Sequence, residues 1–167
     1  MRIYEGSARR DFEEVFRAIG SDLDARGMRE ILLVELEEGF LVQGLAPIGE
    51  AGNWSESVGQ IAKRSVMYRD EEVATLMDTA LERRGKRREP SIRPYESSLR
   101  VIGRYIDETR PRDVFLFEQG GAYVLRMLHV DQTKVEHEIV EFTEGDITAL
   151  VGRAPGLRGR EQPTTRR

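Results

Sequence analysis

The chain has 167 residues, 34% of them charged and 39% hydrophobic, with a net charge of −4 and no cysteine. A chain of this length is one ordinary domain or two small fused units, and it can hide roughly two-thirds of its unfolded surface. Without cysteine there is no disulfide, no thiolate metal site and no cysteine nucleophile. No apolar run approaches the ~18 residues of a membrane span, and the start Met1-Arg2-Ile3-Tyr4-Glu5 has no signal-peptide pattern, so a cytoplasmic protein is expected.

Ser7 is placed to cap a first helix over 8–26, in which Phe12, Val15, Phe16, Ile19 and Leu23 recur at helical spacing and Gly27 marks the stop. Residues 30–37 then read as a strand, Glu38-Gly39 as a tight turn and 40–46 as the return strand. A Gly-rich loop over 47–56 holds the sole tryptophan, Trp54, and a third strand covers 60–67. Asp70 opens a helix over 71–84 with Val73, Leu76, Met77 and Ala80 on its inner face. Residues 85–94 carry two prolines and a cationic run and read as a linker.

The order then recurs. A helix over 95–109 has the stripe Tyr95, Leu99, Ile102, Tyr105, Ile106, strands follow at 113–119, 122–129 and 134–142, and Thr143 with Asp146 forms a capping box for a last helix. Residues 154–167 read as a basic tail. Shifted by 83 positions, residues 12–37 fall on 95–120. The pairs Glu13/Glu96, Arg17/Arg100, Ile19/Ile102, Gly20/Gly103, Asp24/Asp107, Arg29/Arg112, Leu33/Leu116 and Glu35/Glu118 are identical. The closing parts align at an offset of 74, because the second copy lacks the loop around Trp54.

The sequence therefore implies an α+β fold, a tandem duplication of an α-β-β-β-α unit (1–84 and 95–153) in pseudo-twofold arrangement, with helices on one face of antiparallel sheet. Leu32, Val34 and Leu36 alternate with Ile31 and Leu33, and Phe115 and Phe117 with Val114 and Leu116, so both sheet faces are apolar. Either two sheets pack on each other, or they join edge to edge and the open face meets a second chain. Gly20 and Gly103, in mid-helix, imply close backbone approach.

No catalytic motif, metal site or cofactor fingerprint is present. Glu13/Arg17 and Glu96/Arg100 read as ion pairs within their helices, and Asp24/Asp107 as partners of Arg29/Arg112. The leading functional expectation is a non-catalytic protein-binding, adaptor or chaperone-like module. Trp54 is its candidate anchor, its partner is a protein, and homodimerisation is one form of that partnership. Second comes polyanion binding through Arg83, Arg84, Lys86, Arg87 and Arg88, because residues 82–94 carry six basic and two acidic groups. Third is a small-molecule or enzyme site between the copies, using Glu118, Arg126 and His137; a hairpin turn over 130–133 places His137 opposite Arg126. The excess of arginine over lysine reads as the codon bias of a GC-rich bacterium.

The order helix–three strands–helix resembles that of double-stranded RNA-binding domains. That family opens its second helix with a basic cluster, whereas the helices here open with Asp70-Glu71-Glu72 and Glu144-Gly145-Asp146, which would repel a duplex, so none of its residues carries over. The alternation is also similar, in order of elements alone, to small bacterial secretion chaperones.

Overall fold

The computed structural model describes residues 11–47, 61–86 and 94–153. Ten elements and one 3-10 turn follow in order: α1 (Phe12–Arg26), β1 (Arg29–Leu36), β2 (Gly39–Pro47), β3 (Ile61–Arg69), the turn Asp70–Glu72, α2 (Val73–Lys86), α3 (Pro94–Thr109), β4 (Asp113–Gln119), β5 (Ala122–Asp131), β6 (Lys134–Phe142) and α4 (Glu144–Arg153). The fold is α+β, with four helices among the described residues and one open six-stranded antiparallel sheet in the order β3-β2-β1-β4-β5-β6.

The helix ends follow local chemistry. Asp11 caps α1, which opens at Phe12, while Ser7 lies outside the described residues; the Asp11 carboxylate accepts the Glu14 N–H, and Gly27 closes the helix in the left-handed region at φ 70°. The Thr143–Asp146 capping box forms as expected. Thr143 N–H donates to the Asp146 carboxylate at 2.9 Å, and Asp146 N–H donates to the Thr143 hydroxyl at 3.0 Å. Helix α2 runs on to Lys86, two residues into the segment that the sequence assigns to a linker. The β4–β5 turn is Gly120-Gly121, both at positive φ, as a two-residue hairpin requires.

Two sheets stacked on each other are not what forms. The halves join edge to edge through β1 and β4, where Leu32, Leu33 and Val34 lie opposite Phe117, Leu116 and Phe115. The middle pair, Leu33 with Leu116, is one of the identical sequence pairs. One face of this sheet is covered by α1 and α3, with α2 and α4 flanking. Ile31, Leu33, Phe40, Val42, Val114, Leu116, Tyr123 and Leu125 meet Phe12, Phe16, Ile19, Leu99, Ile102 and Ile106 there in a single core. Phe12, Phe16 and Phe40 pack edge to face at 5.4–5.9 Å. Each such buried large side chain contributes about 2 kcal/mol from its removal from water.

Helices α1 and α3 touch backbone to backbone. A Cβ at Gly20 would lie 2.2 Å from the Tyr95 carbonyl oxygen, and one at Gly103 would lie 2.3 Å from the Phe12 carbonyl oxygen. Each helix also supplies the cap of the other. The Asp107 carboxylate accepts the N–H groups of Phe12 and Glu13 at 2.9 and 3.0 Å. The Asp24 carboxylate accepts those of Tyr95 and Glu96 at 3.2 and 3.0 Å. Two of the orphan donors at each helix start are thereby satisfied from the neighbouring helix. Arg17 bonds Glu14 of its own helix at 2.8 Å, but two further ion pairs cross between the helices. Glu13 meets Arg100 at 2.9 Å and Glu96 meets Arg17 at 3.9 Å, so the expectation of a Glu13–Arg17 pair within one helix is corrected.

Candidate functional site

Strand periodicity puts alternate residues on opposite faces. The register therefore assigns Leu32, Val34, Leu41, Met67, Phe115, Phe117, Val124 and Ile139 to the face away from the helices. Phe115, Phe117 and Val124 are 38–40% exposed and Ile139 is 61% exposed. Of the large hydrophobic residues exposed among the described residues, all but Leu81 lie on this face. Two rows cross the sheet side by side. One reads Met67, Leu41, Val34, Phe115, Arg126, Ile139; the other reads Ser65, Gln43, Leu32, Phe117, Val124, Glu141. The charged residues in these rows are Arg126, between Phe115 and Ile139, and Glu141 at the β6 end of the second row.

The candidate residues from the sequence separate across this sheet. Arg126 and His137 lie on the open face, both exposed. The turn between β5 and β6 is Gln132-Thr133, two residues rather than four, so His137 pairs with Leu128 and Arg126 with Ile139; the expected His137–Arg126 pairing is corrected. Gln132 carries the positive φ of 54° that so short a turn needs. Glu118 lies on the other face, buried beneath the helices. One of its carboxylate oxygens accepts the Tyr95 hydroxyl at 2.5 Å and the Ile31 N–H at 3.3 Å, and the other accepts the Gly121 N–H at 3.0 Å. The Ile31 N–H is available because the β1–β2 ladder is irregular between Arg29 and Leu32. Burial, together with the Glu118 carboxylate, pushes the Tyr95 phenol well above its ordinary value. Glu118 therefore does not share a surface with Arg126 and His137.

The other candidates lie elsewhere. Trp54, Arg87 and Arg88 lie outside the described residues, as do the side chains of Arg84 and Lys86. Arg83 reaches back into the body, donating to the Ser21 hydroxyl at 3.2 Å and to Asp22 at 3.4 Å. His129, away from the open face, contacts Glu138 at 2.9 Å, and the Tyr105 hydroxyl donates to the same carboxylate at 3.2 Å. No group of three or more metal-ligating side chains gathers among the described residues.

Sequence reasoning missed a polar hub beside β3. Asp22 is buried, accepts the Tyr68 hydroxyl at 2.7 Å and Arg26 Nε at 2.6 Å, and lines a cleft of about 550 Å³ with Arg26, Tyr68, Arg69 and Glu72. Burial alone would raise the Asp22 carboxyl; the bonds from Arg26 and Tyr68 and the nearby Arg83 outweigh it and hold the group below its ordinary value. A depressed carboxylate adds stability above its unfolded titration range, and that stability is lost as pH falls through the folded value. Asp22→Asn is expected to cost about 2 kcal/mol at neutral pH. The gap between variant and wild type should close in acid, below the ordinary carboxylate value of 3.8, as followed by urea melts across pH. A gap that stays constant with pH would mean that Asp22 acts by shape alone.

No described helix is long and apolar enough to cross a membrane. No known protein family, characterised protein or solved structure matches this chain significantly.

Proposed function

We propose that the chain is a non-catalytic protein-binding module, built by tandem duplication of an α-β-β-β-α unit, whose partner docks on the open face of the sheet. The observation that carries the reading is the apolar cluster on the open face, where exposed Phe115, Phe117, Val124 and Ile139 adjoin Leu32, Val34 and Leu41. Contiguous exposed apolar surface of this extent marks interaction sites on proteins. An apolar centre with a polar rim, here Ser65 and Lys63 on β3 and Glu141 on β6, is also the usual anatomy of an interface. The duplication rests on the sequence pairs together with their reciprocal roles: Gly20 against α3 and Gly103 against α1, Asp24 and Asp107 each capping the other helix, and Leu33 opposite Leu116. Joining the copies through β1 and β4 buries both sets of helices on one side. It leaves the other side as one surface wider than either copy alone could offer.

The test is a photo-cross-linking amino acid placed at Val124, with Asp78 on exposed α2 surface as control, irradiated in cells that express the protein. Adducts of defined polypeptide mass at position 124 and none at 78 are the expected result. Equal labelling at both positions, or none at 124, would remove the reading.

A further inference from the structure

The open face has a width, a pattern of side-chain size and a distribution of charge, and together they point to its occupant. Resting on the protein-binding reading above, we propose that the occupant is the same face of a second copy of this chain, related by a twofold axis that runs parallel to the strands.

Width comes first. Six strands at ~4.8 Å spacing, with about seven residues each at ~3.3 Å, give a face of roughly 600 Å². A single helix is about 10 Å across and would cover about a third of that width, leaving apolar strands in water. A second copy covers all of it. The pair would bury about 1,200 Å², which reaches the range of specific stable interfaces. Antiparallel sheets packed face to face with nearly aligned strands are a standard solution for two apolar faces.

The face then selects between two twofold axes. An axis across the strands, between the two rows, sets each strand over its own counterpart, which puts Phe115 against Phe117 of the partner subunit, bulky against bulky, and Lys63 against Arg69 of the partner subunit, like charge against like. An axis along the strands sets β1 over the partner's β4 and β3 over the partner's β6. Phe117 then lies over Leu32 of the partner subunit and Phe115 over Val34 of the partner subunit, bulky against smaller, as interdigitating layers require. Ser65 comes over Glu141 of the partner subunit, and Lys63 lies one side-chain spacing from that carboxylate. Lys63 and Glu141 are both exposed and sit on opposite edge strands, so this axis brings unlike charges together at both ends of the interface. Arg126, flanked by Phe115 and Ile139, lies over the partner's β2, beside Gln43 of the partner subunit, whose amide oxygen can accept from the guanidinium.

Sedimentation equilibrium of the wild-type chain, with Phe117→Glu and Val124→Lys as variants, tests the occupant. A wild-type dimer, and variants that sediment as monomers with an unchanged circular-dichroism spectrum and a cooperative melt, are expected, since both substituted side chains are exposed in the single chain. The axis is tested by cysteine cross-linking, which the cysteine-free sequence makes clean. In Ser65→Cys/Glu141→Cys the two thiols of one chain lie about 24 Å apart across five strand spacings, beyond a short bismaleimide. Chain-to-chain linkage in the double variant, and none in either single variant, is the expected pattern. A wild type that stays monomeric, or a dimer indifferent to both face substitutions, overturns the second copy as occupant; linkage of the single variants to themselves overturns the axis. A monomeric wild type that still gives adducts with other polypeptides at position 124 would leave the protein-binding reading standing and the second copy excluded, whereas a monomer with no adduct would remove both.

Discussion

Gly103→Ala is expected to lower stability by about 3 kcal/mol, although alanine is the better helix former by about 1 kcal/mol. The sign follows from geometry. The added methyl would stand 2.3 Å from the Phe12 carbonyl oxygen and 2.6 Å from its carbonyl carbon, distances at which no real Cβ rests. What it meets is backbone at the start of α1, which cannot rotate away like a side-chain tip. Relief requires moving α1 and α3 apart. That separation lengthens the two bonds from Phe12 and Glu13 to Asp107 and loosens the Glu13–Arg100 pair. Gly20→Ala meets Tyr95 and Glu96 in the same way, at 2.2 and 2.8 Å, and should cost as much. In a chain of this size 3 kcal/mol corresponds to a fall of roughly 6–12 °C in melting temperature. The two glycines serve one interface, so the double variant should fall short of the sum of the single losses, because the first substitution already parts the helices. Thermal denaturation by circular dichroism reads all three. A Gly103→Ala protein that melts at or above the wild-type temperature would show that the helices have room, and would remove close packing as the reason for both glycines.

The shared role of these glycines is legible in the sequence alone, because the cost of glycine in mid-helix is a local property and it recurs at the same place in both halves. Element type is legible for the same reason: helical stripes, strand alternation and the Thr143–Asp146 capping box are all written in short spacings. What joins the halves is not. Nothing in the apolar pattern of β1 or β4 distinguishes an internal strand from one at an edge, so the sequence admits stacked sheets and a continuous sheet alike. Ion pairing misleads for a physical reason. Glu13 and Arg17 stand at the ideal spacing for a bond along one helix, but the approach that Gly20 and Gly103 permit brings Arg100 to Glu13 from the other helix. Asp24 and Asp107 read as ion-pair residues; their reach to the opposite helix start depends on tertiary placement that no local spacing encodes. The register of β5 against β6 turns on two residues of turn, and Gln132 at positive φ is not a residue type that announces it. Of the candidate site, Phe115 and Phe117 are legible as one apolar strand face, and β5 and β6 extend it with Val124 and Ile139. The separation of Glu118 from Arg126 and His137 needs the whole sheet.

Glu118→Ala carries the second large expected effect, and it separates a structural carboxylate from a ligand-binding one. Three donors converge on this side chain from three elements: the Tyr95 hydroxyl of α3, the Ile31 N–H at the irregular start of β1 and the Gly121 N–H of the β4–β5 turn. Alanine leaves all three without this acceptor in a place where the side chain itself is 7% exposed. A buried donor deprived of its partner costs about 1–3 kcal/mol, so a loss of about 3 kcal/mol or more is expected for the set. Glu118→Gln should recover part of it. The amide oxygen still accepts, but its NH2 group is turned toward one of the donors and cannot satisfy it. Tyr95→Phe removes a single donor and should cost about 1 kcal/mol in the wild-type background and close to nothing once Glu118 is alanine. The resulting double-mutant cycle isolates the Tyr95–Glu118 coupling from the loss of the two N–H bonds. Because Glu118 lies on the opposite side of the sheet from the open face, a variant measured at a temperature where it remains folded should keep the association behaviour of the wild type. Should Glu118→Ala instead leave the melting temperature unchanged and abolish association, the carboxylate would belong to the binding surface, and the division of this sheet into a structural face and a docking face would be wrong.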